Sequence, residues 1–198
     1  DEQKAMQIAA STEEGLSQIY LFLSVMFFGI MLMSINRDFQ DLVSVPSIVF
    51  FTSIISIVIA YFFRSALNII ASLVALPMWW GFKSVEWIQG KEDDIQMSII
   101  VSVLLLYAVL LYVLGRLHLK WKGFQRFAFI FNTLGLLSFT IALFVFSTKW
   151  GMYMFQSITN GQPFYASWQL SAVFGIVAVS TLALIFQGVV QRWISTRE

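Results

Sequence analysis

The chain contains no cysteine and a single histidine, His118. Without thiols it has no disulfide, no zinc–thiolate or iron–sulfur ligation and no thiol nucleophile. With one imidazole, a bis-histidine haem site or a histidine-based metal cluster cannot be built within one chain. Charge is equally scarce. Asp, Glu, Lys and Arg make up 12% of the 198 residues, about half the ~25% of an average soluble domain. That is too little to clothe a water-facing surface. Apolar residues at 59% and a mean hydropathy of +0.79 point the same way. A soluble globular domain and a disordered chain are both excluded. The net charge of +1 leaves no electrostatic footprint for nucleic acid. No Walker loop, dinucleotide fingerprint, HExxH pair or catalytic-serine motif is present, so neither a cofactor nor a catalytic residue is expected.

What the sequence does have is long apolar runs. Crossing a bilayer takes ~20 mostly apolar residues in a helix. Six stretches of the single transmembrane domain 1–198 qualify or nearly so, at 17–36, 42–63, 65–82, 97–115, 127–147 and 170–190. They are continuously apolar rather than alternating, which argues against a β-barrel. The expected fold is an all-α, polytopic integral membrane helical bundle of six spans. The polar, acidic residues 1–16 do not read as a signal peptide. Ser11 and Glu14 fit a capping box, which starts the first helix there. Pro46 falls in the first turn of the second helix, where proline is tolerated.

The junction between the second and third runs is ambiguous. Phe63-Arg64-Ser65 contains no Gly, Pro or Asn to mark a turn. Residues 42–82 as one helix would be ~60 Å long, twice the ~30 Å hydrocarbon core. Either the chain turns tightly near Arg64, or a long tilted helix breaks near Pro77 and continues along the interface. The second reading gives five spans plus an interfacial helix. Trp79, Trp80 and Trp87, with Lys83 and Glu86, look like an aromatic belt at headgroup level. Trp150 and Trp168 read as further interfacial anchors around the aromatic-rich loop 148–169.

Orientation follows from the basic residues in short loops. With six spans, one side carries Lys4, Arg64, Arg116, Lys120, Lys122, Arg126, Arg192 and Arg197. The other carries Arg37, Lys83, Lys91 and Lys149. The first side, with the loop 116–126 and the C-terminus, is therefore expected to be cytoplasmic.

Few polar residues fall within the spans. Thr52, Ser56, Ala60, Arg64, Asn68 and Ser72 recur every fourth residue. If one helix ran through Arg64, they would form a polar, small-residue seam. Asn132, Gly135, Ser138 and Ala142 form a second row, and Ser171, Gly175 and Ala178 a third. Packing between helices is the first reading of all three rows, and a solute path lined by Arg64, Asn68 and Asn132 the second. No acid or lysine sits in mid-span, which argues against proton-driven transport. His118 reads as a solvated loop histidine.

The stretch from Gly115 to Leu137, a basic loop followed by an apolar helix opening on Phe131-Asn-Thr-Leu-Gly-Leu-Leu, resembles loops of prokaryotic multi-span proteins grouped under a domain of unknown function. The resemblance covers about a third of the chain. It implies a bacterial or archaeal cytoplasmic membrane and brings no activity or site residues. The functional expectation is a non-catalytic subunit packing with other membrane subunits or further copies of itself in the lipid bilayer. The alternatives are a channel or facilitator for a small solute or lipid, and an enzyme or electron-transfer subunit using a partner's cofactor.

Overall fold

The computed structural model describes residues 2–88, 94–121, 123–148 and 168–190, with side chains over 13–87, 99–121, 123–148 and 168–189. Trp150 and the rest of the aromatic loop to 167, residues 91–93 of the acidic loop, Lys122 and the tail from 191 lie outside the described residues. So do the side chains of Lys4 and Ser11.

Among the described residues the chain is all helix: α1 (Glu2–Asp38), α2 (Val45–Phe63), α3 (Ala66–Ile88), α4 (Asp94–His118), α5 (Gln125–Ser147) and α6 (Trp168–Val190). Each holds a stretch long and apolar enough to cross a membrane. Large apolar side chains face outward along them; Phe62 is 83% exposed and Phe129 76%. In water such a surface would drive aggregation. In a bilayer it is what lipid tails contact. The chain is an integral membrane protein.

Two sequence expectations about boundaries are corrected. First, α1 runs continuously from Glu2, so Ser11 lies inside the helix and does not cap it. Its 37 residues span ~55 Å, longer than the hydrocarbon core, so a capping motif upstream of the apolar run does not have to end the helix. Second, the chain turns at Arg64 and not at Pro77. Arg64 takes a left-handed conformation, φ 53° and ψ 34°, whereas α3 continues through Pro77 to Ile88. The interfacial-helix alternative, which needs a break at Pro77, is thereby set aside.

The chain divides into two compact units, residues 1–79 and 80–198. In the first, α1 packs against α2. The two approach closely at Gly29, where a Cβ would lie 3.2 Å from Cγ2 of Thr52. The connection between them is clamped by Asn36. Its Nδ2 donates to the Val43 carbonyl (2.8 Å) and to Oδ1 of Asp41 (3.2 Å), while its Oδ1 accepts from the Val43 N–H (2.8 Å). Gln40 and Asp41 both adopt positive φ within this turn. In the second unit, α4 packs against α5 and α6. The α4–α5 turn carries Gly123 at φ 95°, a backbone conformation that glycine adopts without steric cost.

Candidate functional site

Two clusters of polar or small residues lie within spans. The first is the α2–α3 corner. The predicted seam through Thr52, Ser56, Ala60, Arg64, Asn68 and Ser72 is not a row on one helix, because the helix ends at Arg64. The turn folds its two halves onto each other instead. Ala60 accepts from the N–H groups of Arg64 and Ser65, the latter at 3.0 Å, which closes a Schellman-type turn. Ser65 then starts α3: its Oγ accepts from the Asn68 backbone N–H (3.4 Å) and from Asn68 Nδ2 (3.1 Å). The Asn68 carbonyl accepts from Ser56 Oγ (3.0 Å) across the corner and from Ser72 Oγ (2.8 Å) along α3. Ser56, Ala60, Ser65, Asn68 and Ser72 are all buried, whereas Arg64 is exposed. Beside this knot lies an apolar cavity of about 230 Å³, whose lining includes Val25, Met26, Gly29, Thr52, Ser56 and Ser72. Thr52 Oγ1 is buried without a hydrogen-bond partner.

The second cluster joins α4 and α5. A Cβ on Gly115 would fall on Oδ1 of Asn132 and 3.2 Å from the Ala128 carbonyl. A Cβ on Gly135 would lie 3.1 Å from the Ala108 carbonyl and 3.3 Å from Cβ of Leu111. Two helices thus approach on reciprocal glycines, one from each. Asn132 Oδ1 is buried and has no conventional hydrogen-bond partner. Ser138 is half-buried and Ala142 fully buried on the same helix. Asn132 also lines a groove of about 420 Å³ with Ala108, Val109, Tyr112, Leu136 and Phe139.

His118 corrects a further expectation. It is the last residue of α4 and is 1% exposed. Its ring stacks on Phe131 at 4.8 Å and lies 5.6 Å from Trp121. Its Nδ1 is 2.6 Å from the Leu114 carbonyl. A carbonyl only accepts, so Nδ1 carries the proton there. A signal for this was present: Ala108, Leu111, Gly115 and His118 follow at spacings of three, four and three, the seam of a packed helix, and all four are buried.

The tryptophans separate in role. Trp80 is buried, and its indole N–H donates to the Ile100 carbonyl at 3.2 Å, so it holds α3 to α4 and does not face headgroups. Trp79 sits 4.6 Å from the ring of Phe50. Trp87 is 6.1 Å from the Trp80 ring and 6.0 Å from Nζ of Lys83, which is paired with Glu86 at 2.8 Å. Trp168 opens α6 and is 75% exposed. On α6 a Cβ at Gly175 would touch nothing within 4 Å among the described residues; Ser171 on the same row is exposed and Ala178 half-buried. Among the described residues no group of His, Asp or Glu is placed to hold a metal ion.

No protein-family model, curated protein or solved structure matches this chain.

Proposed function

We propose that this chain is a non-catalytic subunit that packs with other membrane-embedded chains, or with further copies of itself. The observation that carries the reading is the contrast between its small-residue rows. Gly115 and Gly135 are filled by neighbours within the chain, whereas the row through Ser171 and Gly175 meets no neighbour at Gly175 among the described residues. In lipid, small residues matter because they let a second helix approach closely. The polar groups of the α2–α3 corner are meanwhile bonded to one another, which supports a structural role for them over a solute path. The basic-residue bias supports a cytoplasmic side for the 116–126 loop and the C-terminus, and the resemblance of residues 115–137 favours a prokaryotic cytoplasmic membrane.

Mild-detergent purification from the native membrane tests this. The expected result is a complex larger than the 22.6 kDa chain, with a stoichiometric partner or second copy. A well-behaved monomer that yields no cross-linked product in the membrane would sink the proposal.

A further inference from the structure

We propose that the cavity beside the α2–α3 corner holds the acyl chain of one bilayer lipid, gripped by shape and not by a polar contact. Its walls come from α1, α2 and α3, all within the first unit. Small residues make the space: Gly29 on α1, Ser53 and Ser56 on α2, Ala71 and Ala75 on α3. Several lining residues carry hydroxyls, yet the wall is apolar, because those hydroxyls are engaged elsewhere. Ser53 Oγ donates to the Val49 carbonyl (2.7 Å). Ser56 Oγ and Ser72 Oγ both donate to the Asn68 carbonyl, at 3.0 and 2.8 Å. Thr52 Oγ1 is itself buried. Side-chain carbon is what an occupant meets, and among the described residues no titratable group lines the space.

Water is a poor occupant, since a buried water needs two to four polar partners. Apolar cavities of ~150 Å³ stay dry and accept a molecule the size of benzene; this one measures about 230 Å³. Which apolar molecule enters is decided by the opening. Met26, Ile30 and Met33 belong to the wall and are exposed, so the cavity is continuous with the lipid-facing surface of α1. Its length suits a lipid tail. Along α1 it runs ~16 Å from Phe22 to Met33, and one leaflet's tails fill about half of the ~30 Å core. Its depth suits one too. Val49 and Ser56 lie ~6 and ~16 Å along α2 from Val45, where the bilayer supplies methylenes and not headgroups.

The test is native mass spectrometry of the full chain released from phosphatidylcholine nanodiscs, at a collision energy that strips all but the last lipid. The wild type is expected to keep one phosphatidylcholine. Ala71→Leu and Ala75→Leu extend side chains into the cavity and each lower that occupancy by about tenfold. Val74→Leu is the control: Val74 is exposed on the same helix and outside the cavity wall, so occupancy stays as in the wild type. Thr52→Val leaves it unchanged too, because no hydrogen bond holds the tail. Phosphatidylglycerol with the same tails is retained to within about twofold of phosphatidylcholine. Circular dichroism of each variant checks its helix content. A second readout needs no variant: phosphatidylcholine with a diazirine in mid-tail, photolysed at one lipid per chain, labels residues 22–33, 49–56 or 71–75. The proposal is overturned by a bare wild-type monomer, by an adduct that survives both filling variants, or by equal loss in Val74→Leu. Loss in Thr52→Val would mean a hydrogen-bonded occupant, and a dimer that Ala75→Leu dissolves would mean a second copy; either overturns it. So does a photolabel found mainly on α5 and α6.

Discussion

The α2–α3 corner and the α4–α5 hairpin each bring two membrane helices together, by opposite means. At the first, side chains are added: Ser56, Ser65, Asn68 and Ser72 bond to one another and to the backbone. At the second, side chains are taken away: Gly115 makes room for the Asn132 amide and the Ala128 carbonyl, and Gly135 for the backbone of Ala108 and Tyr112. Lipid tails are as apolar as leucine, so the hydrophobic effect does not hold helices together in the bilayer core. Packing and hydrogen bonds remain. Interhelical hydrogen bonds in membranes average only ~0.6 kcal/mol, with a maximum near ~1.7, because the separated helices also find partners. Close packing has no such substitute, so the glycine hairpin should be the more sensitive of the two to a single substitution.

The largest expected effect is therefore at Gly115. Gly115→Ala should cost about 1–3 kcal/mol, the range for overpacking a filled site, seen as a lower unfolding midpoint in detergent. Asn132→Ala in the same chain should restore most of that loss, because it removes the atom the new methyl strikes. Additive costs in the double variant would break the comparison, since contacting residues must couple. The corner is expected to be gentler. Ser65→Ala removes the acceptor at the start of α3 and should cost about 1 kcal/mol, with the helix content in circular dichroism unchanged. A cost above that of Gly115→Ala would reverse the ranking. Smallest is Gly29→Ala. Its new methyl meets a side chain, Thr52, at 3.2 Å, which can shift where a backbone cannot. The helix-propensity gain of ~0.8–1 kcal/mol offsets the crowding, so the midpoint should stay near that of the wild type.

The sequence already carried the six apolar helices, because continuous runs of the right length say little else. Helix ends were less legible: the run 127–147 lies within Gln125–Ser147, but α1 begins at Glu2 where the apolar run begins at 17, and α3 continues to Ile88 where its run ends at 82. The turn at Arg64 was not legible. A left-handed residue other than glycine costs about 1–2 kcal/mol, so nothing in Phe63-Arg64-Ser65 advertises one. It persists because Ser65 caps the next helix and Ala60 accepts both following N–H groups, contacts that exist only once the corner has formed. Of the residues at fourfold spacing from Thr52 to Ser72, Ser56, Ala60, Asn68 and Ser72 meet at the corner from two helices, while Arg64 is exposed and Thr52 Oγ1 has no partner. His118 was misplaced by its neighbours: Arg116, Lys120 and Lys122 made the segment look like open loop, while the three-four-three seam from Ala108 counted against it. Trp80 was misread similarly, since an aromatic belt and a packed indole have the same composition. Which row of small residues is filled from within, and which faces outward, depends on tertiary contacts that no spacing encodes.

Cysteine cross-linking in native membranes reads out whether another chain packs on the small-residue face of α6. The chain has no cysteine of its own, so Gly175→Cys introduces a single reactive thiol. Ile176→Cys, about 100° away round the helix and more exposed than the half-buried Gly175, serves as the comparison. A cross-linked product of defined mass is expected from position 175, and little or none from position 176. Equal yields at both positions, or none at either, would contradict it.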